Sequence, residues 1–230
     1  MVRLLPVFVH GWGFGPEFWQ AVLAQLNWPD AVTLDLGFLA PAVSGAGKTV
    51  TLENILQQRR PILGIGHSLG FMWLMMQRRH GIWSTGSQFT GINTFACFAS
   101  REDFPQGVAP RIVHRMKRGL GREPAVVVND FRQRCGALPV QAERCQPAEL
   151  AQGLDILLTA DVRADLPSAP LDILAGRQDE IALPSMTAAS FPAPAHIRWV
   201  ENGGHVLPLT HPVECARFLE MLRNTMEKQP

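Results

Sequence analysis

Ile62-Leu63-Gly64-Ile65-Gly66-His67-Ser68-Leu69-Gly70-Phe71-Met72-Trp73-Leu74 is the stretch that decides the fold. An apolar run of strand length, Ile62–Gly66, gives way at once to a helical stretch from Leu69 to about Arg79, and the turn between them reads G-x-S-x-G. In that context the pattern makes a tight, strained corner, and its glycines let neighbouring backbone pass where a Cβ would clash. The serine hydroxyl then stands at the carboxyl end of a strand, beside the free N–H groups of a helix N-terminus. Ser68 is therefore the candidate nucleophile.

Outward from this corner, apolar runs of strand length alternate with amphipathic stretches, the signature of a parallel α/β sheet. Strands are expected at Leu4–Val9, Ala31–Leu36, Ile62–Gly66, Thr90–Phe98, Leu171–Ala175 and Ile197–Val200. They make a mostly parallel sheet of about six strands flanked by helices. The first of them is apolar on both faces, which places it inside the sheet, between the Ala31 and Ile62 strands. Helices are expected at Pro16–Leu26, with Phe18, Val22, Leu23 and Leu26 on one face, at Leu69–Arg79 and at Pro212–Glu227. Pro110–Leu120, Pro124–Cys135 and Pro147–Leu157 predict three more, inserted between the fourth and fifth strands as a helical lid over about 106–165. In the first of these, Ile112, Val113, Met116 and Leu120 share a face.

A chain of 230 residues implies a single domain carrying that lid. Hydrophobic residues at 47% against 18% charged exclude general disorder, and a net charge of +1 argues against a dedicated nucleic-acid binder. The absence of tyrosine removes any phenolic acid or base. Four cysteines with no C-x-x-C pair and seven histidines with no close spacing point to free thiols of a reducing compartment and to no metal. The amino end lacks a long apolar segment with a cleavage site, and no run approaches the roughly 20 apolar residues of a membrane span. A soluble, cytoplasmic protein is expected. Charge is nonetheless uneven: Arg111 to Arg144 holds eight basic residues against three acidic. That excess suits either a solvated face or an acidic partner.

A serine hydroxyl needs a base to take its proton. His205, in Glu201-Asn202-Gly203-Gly204-His205, directly follows the last strand and so sits on a loop at its carboxyl end. His10 belongs to the first turn, His67 is the variable position of the corner and His211 starts the last helix, so all three are poorer candidates. The base in turn needs a carboxylate to fix its tautomer and stabilise the imidazolium. Asp179 follows the Leu171 strand, whereas Asp172 lies inside it and Glu180 points elsewhere. The order Ser68, Asp179, His205 is the one this strand–turn–helix architecture uses. The oxyanion needs two preorganised donors. Backbone N–H of Leu69 is one and that of Trp12, in His10-Gly11-Trp12-Gly13, the other, with the Trp12 indole as a pocket wall. Phe131 is a further candidate for the substrate pocket. This chemistry calls for no cofactor.

With these residues in place, the chain resembles the α/β-hydrolases, and among them it is similar to the pimeloyl-[acyl-carrier protein] methyl ester esterases of biotin biosynthesis. The resemblance rests on His10-Gly11-Trp12-Gly13 with Phe18-Trp19, on Leu34-Asp35-Leu36-Gly37-Phe38 and on Gly66–Gly70. It continues through Ala99–Pro105, Leu154–Arg163, Gly204-His205 and His211-Pro212, and so covers most of the chain from Val7 onward. It implies a monomeric serine carboxylesterase acting on an acyl-chain ester, with acyl carrier protein docking on the basic lid. The chain departs from the pattern in several places. It begins on the strand usually counted third, Phe71 stands where a second glycine often follows the corner, and the loop Leu39–Thr51 lacks the usual Gly-x-Ser. The lid arginines do not match position by position.

Three other readings remain open. The same triad would serve a small-molecule carboxylesterase or a thioesterase. The fold could be kept by a non-catalytic binding protein. Residues 42–49 fit a relaxed phosphate-binding loop, but the helical stretch after it, Thr51–Gln58, is barely two turns, too little for nucleotide binding.

Overall fold

The chain enters its sheet in the middle and winds outward twice. The computed structural model describes residues 4–40 and 48–226. Strand β1 (Leu5–Val9) pairs in parallel with β2 (Val32–Leu34), which pairs with the two-residue edge strand β3 (Thr49–Val50). The chain then returns to the other side of β1 as β4 (Ile62–His67) and continues through β5 (Gln88–Ile92), β6 (Asp172–Gly176) and β7 (His196–Val200). All pairings are parallel, in the order β3-β2-β1-β4-β5-β6-β7. As expected, β1 lies internally, and every residue of β1 and β4 is buried. Strands covered on both faces need apolar side chains on both, hence their continuous runs.

Helices cover the two faces. On one, α3 (Leu69–Arg79) buries Leu69, Phe71, Met72, Leu74 and Met75. Against the other, a 3₁₀ turn at Pro16–Trp19 leads into α1 (Gln20–Leu23), beside α9 (Pro212–Met226), which buries Cys215, Phe218, Leu219 and Leu222 at helical spacing. Between β5 and β6 the chain inserts α4 (Pro110–Leu120), α5 (Pro124–Arg134) and α6 (Pro147–Thr159). Each starts with proline in its first turn, where the missing N–H has no partner to lose. Val113, Leu120, Val128, Leu150 and Leu154 from these helices join the same apolar cluster as β1 and α3.

Several expectations need correction. The sheet has seven strands, because Thr49–Val50 adds an edge strand too short to leave a periodic signal. The Pro16–Leu26 helix is a 3₁₀ turn plus a single turn of α-helix ending at Leu23. The Thr90–Phe98 strand ends at Ile92, because Asn93 takes a left-handed backbone (φ +48°) and turns the chain out of the sheet. Three short helices went unforeseen or were only sketched: α2 (Leu52–Gln57), α7 (Pro184–Ser190) and α8 (Leu207–Thr210). The remaining boundaries agree within about two residues. The 42–49 match falls mostly outside the described residues, as does Glu227. No helix among the described residues is long and apolar enough to cross a membrane.

Candidate active site

Where the winding direction reverses, between β1 and β4, the loops leaving the two strands part in opposite directions and open a crevice at their carboxyl ends. Both loops carry candidate residues. Ser68 directly follows β4 with φ +52° and ψ −123°, a strained conformation for a residue with a Cβ. The corner is tight: a Cβ on Gly66 would strike the backbone of Phe71, and one on Gly70 would strike the carbonyls of Val9 and His10. The β1 turn presses on it from the other side, since a Cβ on Gly11 would come within 3.0 Å of Ser68 Cβ. Leu69, as the first helical residue, has an N–H with no intrahelical acceptor. The Trp12 backbone N–H makes no hydrogen bond among the described residues. Both expected oxyanion donors are thus uncommitted.

The acid and base candidates come together on the loops after β6 and β7. His205 Nδ1 lies 3.0 and 2.9 Å from the two carboxylate oxygens of Asp179. A carboxylate only accepts, so Nδ1 carries the proton and Nε2 offers its lone pair. That Nε2 is buried and has no partner among the described residues. Asp179 is held by three further donors: the N–H groups of Ile181 and Ala182, each at 2.8 Å, and Asn93 Nδ2 at 2.8 Å. Neither Asp172 nor Glu180 contacts the His205 ring; Asp172 faces His196 across 3.8 Å and Glu180 lines the neighbouring cleft.

His67, next to the serine, joins the corner to the base loop. It is fully buried, and its Nε2–H donates to the carbonyl of His205 at 2.9 Å, with the two imidazoles 4.9 Å apart. Burial, with the adjoining His205, holds its pKa well below the ordinary histidine value. His10 instead meets Asp35 at 3.1 Å, and His211 meets Thr210.

Ser68, Asp179 and His205 are only 5%, 2% and 2% exposed. None of the three lines the cleft of about 710 Å³ that runs between α4, α5 and α6; Trp12 and Phe131 stand between, in a wall shared with Val108, Ile112, Met116 and Leu154. Phe131 bounds this cleft and also meets the rings of Trp12 (5.0 Å) and His205 (6.4 Å) edge-on. The Trp12 indole is the expected wall, and its N–H donates to the Leu150 carbonyl at 2.8 Å, tying the β1 turn to α6.

Missed by sequence reasoning were Asn93, hidden inside an apolar run read as strand, and the commitment of Arg132. The latter donates to the carbonyls of Gly13 and Leu138 and packs over the Phe14 ring at 4.7 Å. These contacts tie α5 to the turn after β1 and set Arg132 apart from the exposed arginines; burial also lowers its pKa. Lys117 and Arg144 are likewise committed, to Asp155 and Glu17. The exposed cations Arg111, Arg115, Arg118, Arg122 and Arg134 form no ion pair among the described residues. All four cysteines are free and buried.

Residues 7–218 match the model of the alpha/beta hydrolase family. The chain is 29% identical to a pimeloyl-[acyl-carrier protein] methyl ester esterase of Aromatoleum aromaticum, over 93% of this chain and 96% of that protein. It is 27% identical to one from Cronobacter sakazakii, over 94% and 92%. A bromoperoxidase from Bacillus anthracis superposes with a TM-score of 0.75 at 17% identity, covering 96% of this chain and 92% of that one, a likeness of fold alone.

Proposed function

This chain belongs to the alpha/beta hydrolase family, and from that premise we propose that it is a serine carboxylester hydrolase whose catalytic residues are Ser68, Asp179 and His205. The observation that carries this is the buried, unpartnered Nε2 of an imidazole whose other nitrogen is held by Asp179. Ser68 Oγ attacks the ester carbonyl and its proton passes to His205 Nε2. The N–H groups of Trp12 and Leu69 receive the oxyanion. His205 then protonates the leaving alcohol, Asp179 stabilises the imidazolium, and a water activated by His205 releases the acid.

The substrate we propose is the methyl ester of a pimeloyl chain on acyl carrier protein, after the names of the two relatives. The acyl chain would lie in the cleft against Phe131 and Trp12, with α4–α6 as a lid. The unpaired arginines of α4 and α5 would meet the acidic carrier, and the enzyme would work as a cytoplasmic monomer. The test is turnover of pimeloyl-carrier-protein methyl ester beside short p-nitrophenyl esters, by the native enzyme and by Ser68→Ala and His205→Ala. Each substitution should remove several orders of magnitude of rate, and the pair together little more. A Ser68→Ala enzyme keeping over about a tenth of the rate would exclude the serine mechanism. Turnover of short esters without the carrier-linked one would leave a small-molecule esterase.

A further inference from the structure

We propose that Asn93 is a positioning residue for the acid–base pair, a reading that rests on the assignment of Asp179 and His205 above. Asn93 follows β5 directly, and the sheet order sets β5 beside both β4, which leads to Ser68, and β6, which leads to Asp179. Its side-chain amide has two N–H donors, and both are used within the site. Nδ2 donates to Asp179 Oδ2 at 2.8 Å and to the carbonyl of Gly204 at 3.1 Å. Gly204 immediately precedes His205, so one planar group sets the carboxylate and the backbone of the base relative to each other. With His67 donating to the next carbonyl, that of His205, two successive carbonyls of the base loop are fixed from two sides.

The orientation of the amide is dictated. Both neighbours are acceptors, and the flipped amide would crowd three oxygens together. Asn93 Oδ1 is buried and makes no hydrogen bond among the described residues, so the amide's ties to the site run through Nδ2 alone. The left-handed φ of +48° also favours Asn over other side chains. The next residue completes the linkage: Thr94 Oγ1 donates to the carbonyl of Ser68 at 2.9 Å, and Ser68 N–H donates to Ile92 O at 3.4 Å. The turn after β5 therefore touches the segments bearing all three catalytic residues.

Asn93→Gly keeps the left-handed backbone while removing the donor, and Asn93→Ala removes the donor with some backbone strain. In both, kcat on a p-nitrophenyl ester should fall about 10- to 100-fold with KM within about twofold. The low-field proton resonance of the His205–Asp179 hydrogen bond, identified by its loss in His205→Ala, should broaden or vanish. Full activity in the Gly variant with loss in the Ala variant would reduce the role to backbone conformation and overturn the proposal. So would an unchanged resonance, or a kcat within about threefold of native in both. In each of those cases an inactive Ser68→Ala would leave the serine mechanism standing. A Ser68→Ala enzyme keeping over about a tenth of the rate would overturn mechanism and proposal together.

Discussion

His67 sits among the rings of Phe14, Phe18 and Trp19 and beside His205, with Nδ1 unpartnered, so protonating it in the folded protein is strongly disfavoured. In the unfolded chain the same group takes up a proton near pH 6.5. Below that value the unfolded state binds a proton that the folded state does not. Stability supplied at neutral pH is then lost as pH falls, at up to about 1.4 kcal/mol per unit from this group. His67→Phe should therefore flatten the decline of Tm between about pH 6.5 and 5, measured by thermal melts; parallel curves would contradict the buried neutral state. Asp179 is specific in another way. An amide at 179 can turn its NH₂ toward His205 Nδ1, which moves the ring proton to Nε2 and disables the base. Asp179→Asn should cost up to about 10⁴ in kcat, whereas Glu180→Gln and Asp172→Asn should cost little. Equal losses in the three variants would reject the assignment.

Among the lid elements, α6 packs closely on the β1 turn. A Cβ on Gly153 would come within 2.7 Å of Trp12 Cδ1 and 2.8 Å of Phe38 Cε1, so the helix lies directly on the β1 turn. The indole hydrogen bond to Leu150 and the Lys117–Asp155 pair between α4 and α6 hold it there. Gly153→Val should overpack this contact by about 1–3 kcal/mol and lower Tm by several degrees, at roughly 2–4 °C per kcal/mol for a chain of this size. An unchanged Tm would mean that α6 can lift from the turn without loss. α5 is fixed by different means, through Arg132 to Gly13 and through Phe131 to Trp12.

Across the whole molecule, charge is nearly balanced, yet five exposed arginines of α4, α5 and the turn between them stay unpaired among the described residues. Complementary charge chiefly raises association rate and fixes orientation. Reversing Arg118 and Arg122 to Glu, with Arg115 and Arg134 kept because they line the cleft, should raise KM for a carrier-linked ester while leaving turnover of a short free ester nearly unchanged. Added salt should act in the same direction, since exposed charges beyond about 8–10 Å are screened near physiological ionic strength. Arg132 is left out of this set because its reversal would bury a charge against the Gly13 carbonyl. If both substrates responded equally, the arginines would be acting on the pocket and a small-molecule esterase would be favoured.

Sequence alone carried six of the seven strands, the corner at Ser68 and the acid and base candidates. These depend on local signals: continuous apolar runs for strands buried on both faces, glycines at 66 and 70 where no Cβ fits, and loops placed by the strands they follow. What it could not supply was whatever depends on a partner distant in the chain. Thr49–Val50 becomes a strand only by pairing with β2, and the run through Asn93 breaks where the backbone turns left-handed and the side-chain amide meets Asp179 and Gly204. Arg132 reads as one more cation of a basic segment until Gly13 and Phe14 are brought beneath it. Backbone pattern is written in neighbouring residues, whereas the partners of a buried polar side chain are chosen by the packing of the whole chain, and only the tertiary structure decides them.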